Sequence, residues 1–206
     1  MKLYFAPGAC SLAPHIAANE LGINLDLEQV DLREKKTKNG KDYWSINPKG
    51  QVPLLELDNG ERLTEVPVIL QYMSDQRPAV GLSPAAGTPE RYRMHEWLNF
   101  VTSEMHKTYG PIFRATTPEE FKTLSREVIG RRLEWLDKQL AGKQYLMGDK
   151  FTLADIYMFV VLRWSPIVSI DLNKYPNVKA YADRVAARPK VAEMLKAEGL
   201  QWPPKA

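Results

Sequence analysis

Val52-Pro53-Leu54-Leu55-Glu56-Leu57-Asp58-Asn59-Gly60, followed by Leu63-Thr64-Glu65, is the stretch on which the fold turns. Val52 to Leu57 reads as a strand and Asp58-Asn59-Gly60 as a tight hairpin turn. Leu63-Thr64-Glu65 then leads into a helix whose apolar side carries Ile69, Leu70, Tyr72 and Met73. Upstream, Leu3-Tyr4-Phe5 reads as a short buried strand ended by Pro7-Gly8. Residues 11–21 read as a helix, with Ser11 as N-cap, Pro14 tolerated in the first turn and Gly22 as the stop. Leu25, Leu27 and Val30 mark a second strand, and Arg33 to Lys41 a polar loop. The order β-α-β, then β-β-α, describes a small α/β domain over residues 1–77.

Beyond it the pattern changes. Residues 78–88, Pro78-Ala79-Val80-Gly81-Leu82-Ser83-Pro84-Ala85-Ala86-Gly87-Thr88, have the composition of a linker. Strand signals then stop, and residues 89–206 read as all-helical, with helices over 89–109, 118–141, 153–165, 175–187 and 189–198. Thr152-Leu153-Ala154-Asp155 has the spacing of a capping box, with Asp in place of the usual Glu. The expected fold class is α/β plus all-α.

Composition narrows the function. The chain has 206 residues, 44% of them hydrophobic, so it can bury a sizeable core. A formal net charge of +3 gives no reason to expect a nucleic-acid partner. Residues 1–77 carry 9 Lys and Arg against 11 Asp and Glu, so the basic excess lies in the helical part. One cysteine makes no intrachain disulfide and calls for no oxidising compartment. The apolar run at Met1 to Ala6 is short for a signal peptide, and no stretch approaches the ~18 apolar residues of a membrane span. The expectation is a soluble cytoplasmic protein with no membrane partner. Three scattered histidines, His15, His95 and His106, with one cysteine offer no zinc spacing, so no metal is expected.

Several residues could carry chemistry. Cys10 stands at the start of the first helix, where partial positive charge and unpaired N–H donors bias a thiol toward thiolate. The alternative is a small buried, inert hydrophobe. In the long helix after the linker, Leu98, Val101, Met105, Tyr109 and Ile112 form an apolar stripe at helical spacing. Beside it runs a polar stripe, Asn99, Ser103 and His106, that lines either a cleft or ordinary solvated surface. Lys35, Lys36, Lys38 and Lys41 make a basic loop, either solvated or able to take a substrate carboxylate. Glu65 opens a helix, where it serves the dipole or meets a ligand's amino group beside free N–H donors.

Taken together and in order, these pieces resemble the cytosolic glutathione S-transferases, specifically the bacterial beta class. The residues that carry the resemblance are Pro7-Gly8-Ala9-Cys10-Ser11, Asn47-Pro48-Lys49-Gly50-Gln51-Val52-Pro53, Leu63-Thr64-Glu65, Leu98-Asn99-Phe100, Glu104-Met105-His106-Lys107 and Phe151-Thr152-Leu153-Ala154-Asp155. The resemblance covers essentially the whole chain. It implies a thioredoxin-like N-terminal domain, an all-helical C-terminal domain contributing the electrophile pocket, a homodimer, and glutathione as co-substrate. It also makes Val52-Pro53 a cis peptide whose backbone pairs with the cysteinyl part of glutathione.

Carried over position by position, Cys10 and His106 are the catalytic pair, with Ser11 beside the sulfur. Lys35, Val52 and Pro53 face the glycyl and cysteinyl parts, and Glu65 and Val66 the γ-glutamyl end. Asn99, Ser103 and Glu104 belong to the same site, partly completed by the partner subunit. A small hydrophobic electrophile is expected near Tyr109, Ile112, Phe113 and Trp164. Val66 departs from the family pattern, in which a small residue, often Ser or Gly, follows the Glu. A hydroxyl contact is therefore lost, and main-chain contacts must suffice. The implied reaction is conjugation of glutathione to the electrophile. The alternatives are a monothiol oxidoreductase working through a Cys10–glutathione mixed disulfide, or a non-catalytic glutathione- or hydrophobic-ligand-binding protein.

Overall fold

A computed structural model describes residues 1–204; the last two residues of the predicted helical region lie outside the described residues. Five strands form one sheet in the order β3-β2-β1-β4-β5: β1 (Lys2–Phe5), β2 (Asp26–Asp31), β3 (Lys36–Thr37), β4 (Leu54–Glu56) and β5 (Arg62–Thr64). β1 and β2 run parallel, and the remaining pairs are antiparallel. The period-2 alternation of a strand sends Leu3 and Leu55 to one face and Tyr4 and Leu54 to the other. Under the first face lie helices α1 (Leu12–Leu21) and α2 (Val66–Asp75), which bury Leu12, Ile16, Ile69, Leu70 and Met73 there. The second face closes over a smaller cluster with Val30, Tyr43, Ile46 and Val52. The sequence reading omitted β3, which lies in the polar loop and is too short for any periodicity.

The helical part comprises α3 (Pro89–Phe100), α4 (Lys107–Phe113), α5 (Glu119–Leu140), α6 (Leu153–Leu162), α7 (Trp164–Ile167), α8 (Pro176–Ala186) and α9 (Pro189–Ala197). Every residue of α6 is buried, and α1, α2, α3 and α8 all pack on it. One apolar core therefore runs through both halves of the molecule. The start of α6 is held by Asp155, which accepts from Thr152 N at 2.8 Å, Thr152 Oγ1 at 2.9 Å, Leu146 N at 2.8 Å and Tyr181 Oη at 3.1 Å. Burial still raises this carboxyl to about 6 against those four donors. Among the described residues, no helix is long and apolar enough to cross a membrane.

Two local expectations change. Ser11 does not cap α1 with its side chain; its Oγ instead accepts from Ala6 N at 3.1 Å and donates to Ala6 O at 3.2 Å, tying the turn closed. The predicted helix 89–109 continues to Phe113 and contains a π-helical segment, Val101–His106. Hydroxyls supply a cause: Thr102, Ser103 and Thr108 each donate to the carbonyl four residues back, at 2.9 Å, and compete with the N–H ladder. Such wide turns recur at functional sites, and this one ends on His106.

Candidate functional site

A cleft of about 730 Å³ opens between the sheet half and the helical half. Cys10, Lys35, Val52, Pro53, Glu65, Val66 and His106 all line it. They arrive from five separate places in the chain: the β1–α1 turn, the loop after β2, the residues before β4, the start of α2, and the π turn.

Cys10 is half-buried, and its Sγ donates to Val52 O at 3.2 Å. Desolvation pushes the thiol up to about 12; the N–H groups of Cys10 and Ser11 pull the other way without offsetting it, and the Glu65 charge adds a smaller rise. The thiolate expected at this helix start is thus not what the ligand-free site holds. Leu12 N–H and Ala13 N–H bond Ala9 O and Cys10 O, both at 3.1 Å, so the donors left to the sulfur are the N–H groups of Cys10 and Ser11, which do not offset its desolvation.

The Val52–Pro53 bond is cis. Next to it, Gly50 has φ +61°, and a Cβ there would stand 2.5 Å from the Trp44 ring, so this turn requires glycine. Lys35 Nζ donates to Gly50 O at 2.8 Å and lies 5.4 Å from the centre of the Trp44 ring. At the head of α2, Glu65 holds φ +70°, a conformation costly for a side-chain-bearing residue and characteristic of ligand sites. Lys49 Nζ bonds Glu65 Oε1 at 2.7 Å and Thr64 Oγ1 at 2.9 Å. The Val66 side chain turns into the core under α2. Its N–H is the first of the helix and has no acceptor within it, so a backbone donor is what this position can offer a ligand.

On the opposite wall, His106 Nδ1 lies 2.6 Å from the Tyr157 hydroxyl. Desolvation, helped by the Lys107 charge, lowers His106 to about 4, and burial raises Tyr157 well above the ordinary phenol range. At neutral pH the imidazole is therefore neutral and the phenol keeps its proton. The two share one hydrogen bond, and with Tyr157 as its donor the ring proton sits on Nε2. Trp164 packs against the imidazole at 4.9 Å between centroids, and its Nε1 donates to Gly8 O at 3.0 Å.

Other predicted residues stand elsewhere. Ser11 is fully buried behind the cleft, and only its backbone approaches the sulfur. Asn99 and Ser103 are exposed and bond back to their own helix, at His95 O and Asn99 O, while Glu104 pairs with Arg132 at 2.6 Å. Tyr109, Ile112, Phe113 and Trp164 do not line the cleft. Tyr109 and Ile112 belong to the core, where the Tyr109 hydroxyl meets Ser165 Oγ at 2.6 Å. The face of α4 toward the cleft carries Lys107, Gly110 and Pro111 instead, one step round the helix from the apolar stripe, with Arg114 just past its end. Sequence reasoning also missed Lys49 and Tyr157. Tyr157 is the hydroxyl-bearing aromatic of a buried helix whose other polar side chain is the cap Asp155; buried phenols need partners, but nothing in the sequence names this one.

Among the described residues, no cluster of three or more His, Cys, Asp or Glu side chains is arranged to hold a metal. Residues 8–76 match the family "Glutathione S-transferase, N-terminal domain", and residues 100–189 match "Glutathione S-transferase, C-terminal domain". The chain is 43% identical over 201 residues to glutathione S-transferase GstA of Escherichia coli O157:H7, covering 98% of this chain and 100% of that one. It superposes on a sphingomonad glutathione S-transferase solved with glutathione at a TM-score of 0.93, with 49% identity, 98% of this chain and 100% of the other covered. The bacterial beta class glutathione S-transferase of Sphingomonas chungbukensis gives a TM-score of 0.94 and 48% identity over the same shares. With a thioredoxin-like sheet half, a helical half and a cleft between them that gathers Cys10, Val52-Pro53, Glu65 and His106, the chain belongs to the bacterial beta class of the glutathione S-transferase family.

Proposed function

We propose that this protein binds reduced glutathione in the cleft and conjugates it to a small hydrophobic electrophile. The observation that carries this reading is the convergence of a thiol, a cis-proline edge, an acidic helix start and a neutral imidazole on one cleft. Glutathione lies along the sheet edge, its glycyl carboxylate toward Lys35, its cysteinyl backbone against Val52, and its γ-glutamyl end on Glu65 and the Val66 N–H. The ligand's amino group takes Glu65 from Lys49. Once Val52 O receives the peptide's N–H, the Cys10 S–H is free to turn to the glutathione sulfur.

Conjugation asks the protein to favour the glutathione thiolate and to hold both reactants together. Cys10 S–H and the Nε2–H of His106 are the two donors facing the sulfur's place, one from each wall. A protonated Cys10 suits hydrogen bonding to another thiolate and slows disulfide exchange, which needs the thiolate of Cys10 itself. The mixed-disulfide reading is therefore the weaker one.

A homodimer is part of the same proposal. Its support is the family, the exposed Tyr92 and Trp135, and the position of Asn99, Ser103 and Glu104 outside the cleft of a single chain. Sedimentation velocity reads it directly, and a species of one chain mass at micromolar concentration would remove the dimer.

The function itself is tested by calorimetric titration with glutathione and by turnover of 1-chloro-2,4-dinitrobenzene. Binding at or below millimolar and chloride release are expected. Cys10→Ala is expected to conjugate at a rate lowered by about a hundredfold, the low end of the scale for one lost donor to a developing or fixed anion. No binding at millimolar glutathione overturns the reading. A glutathione-mass adduct on Cys10, with conjugation abolished in Cys10→Ala, would replace it with the covalent one.

A further inference from the structure

The cleft is longer than glutathione's path along the sheet edge. Past His106 it runs between two helical faces, Lys107, Gly110, Pro111 and Arg114 on one side and Phe121, Leu124, Ser125 and Val128 on the other. Each set follows the i, i+3, i+4, i+7 spacing of a single helical face. Phe121 and Leu124 are 51% and 50% exposed, an apolar surface left open where the cleft widens.

The charges at this end are of one sign. Among the described residues, neither Lys107 nor Arg114 has a carboxylate within 4 Å or a side-chain hydrogen bond, whereas the other two cations lining the cleft are both held, Lys35 by Gly50 O and Lys49 by Glu65 and Thr64. Glu65, Glu104 and Glu119 are each paired already, with Lys49, with Arg132, and with Lys122 and Arg126. Lys107 is close enough that its charge is felt at the His106 ring. A slot serving only neutral apolar compounds has no use for two unpaired cations at its rim.

The geometry points to an electrophile subsite selective for aryl compounds that carry a carboxylate: the ring lies on Pro111, Phe121, Leu124 and Val128, the anionic group lies at Lys107 and Arg114, and the reacting carbon points back to Cys10 and His106. This inference rests on the transferase reading and names the substrate class of that same site. For a chloroarene, the glutathione thiolate forms the new C–S bond at the chlorine-bearing carbon. The C–Cl bond breaks, chloride leaves with the bonding pair, and the thiol's proton passes to solvent; the carboxylate is unchanged.

The test compares 4-chloro-3-nitrobenzoate with 4-chloro-3-nitrobenzamide, of similar shape but different charge. Each kcat/KM is divided by that compound's uncatalysed rate with glutathione, which removes the difference in intrinsic reactivity. The normalised value should favour the benzoate by about tenfold, the size expected of two partly exposed ion pairs. Arg114→Gln should lower that ratio about threefold, Lys107→Gln with Arg114→Gln should bring it near one, and 0.5 M salt should lower it in the unmodified protein. Because the ratio is taken within one preparation, a variant that folds poorly still reports it. Turnover of both compounds at a normalised ratio near one overturns the subsite and leaves the transferase reading standing. So does a preference that survives both substitutions and salt. No turnover of either compound while 1-chloro-2,4-dinitrobenzene is conjugated overturns the subsite alone; no turnover of any of the three removes both.

Discussion

At the residue scale the site works through protons held where burial puts them. Cys10 is a thiol near neutrality because its sulfur loses water without gaining a cation. In the ligand-free protein its alkylation by iodoacetamide at pH 7.5 should run more than about a hundredfold slower than that of free cysteine, and climb steeply above pH 9. Equal rates would show that the sulfur is a thiolate. Tyr157 has a different task, since its hydroxyl meets Nδ1 of the imidazole and, as donor, leaves the ring proton on Nε2. Tyr157→Phe should lower kcat about tenfold while the glutathione KM moves little, and nitrogen NMR should show His106 passing from one tautomer to a mixture. An unchanged tautomer with reduced activity would make Tyr157 a packing residue only. Cys10, Glu65 and His106 were legible in the sequence because each is a chemically distinctive residue at an element boundary. Tyr157 was not, because its partner lies 51 residues away.

At the element scale, periodicity located the helices and failed where a helix leaves its ladder. The apolar stripe Leu98, Val101, Met105, Tyr109 and Ile112 is the buried face, as its spacing required. Tyr109 and Ile112, the part of it expected at the electrophile, are buried in the core and stand outside the cleft of the ligand-free chain. The wall comes from the neighbouring face of α4, whose composition of Lys, Gly and Pro has no apolar period to follow. β3 escaped for the same reason, being two residues held by pairing rather than by pattern. The Thr152–Asp155 spacing, by contrast, was legible because a cap is a local device. Asp155 fixes both the start of α6 and the Leu146 turn, so Asp155→Ala leaves several buried N–H and O–H donors without acceptors. Chemical denaturation should show a loss of about 3–5 kcal/mol. A loss under about 1 kcal/mol would mean that water enters and replaces the carboxylate.

At the scale of the whole molecule, the two halves share more than a core. Glu198, at the end of α9, is buried with its carboxylate divided between His15 Nδ1 at 2.9 Å and Gly8 N at 2.9 Å. Gly8 O is taken by Trp164, and Gly8 itself, at φ +74°, lies so near Leu200 that a Cβ would stand 3.4 Å from it. The turn that presents Cys10 is thus held from its far side by the C-terminal segment. Glu198→Ala should cost about 2–3 kcal/mol in stability and lower kcat, whereas Glu198→Gln, which can still accept from Gly8, should keep most of both. Full activity in the alanine variant would show that the turn keeps its shape unaided. Such a contact also sets an order in time. Residues 8 and 198 are 190 positions apart, and a ribosome adding about 5–20 residues per second completes that interval in about 10–40 s. Throughout synthesis the nascent sheet half therefore exposes Cys10 on an unfastened turn, and the transferase centre closes only when nearly the last helix has been made.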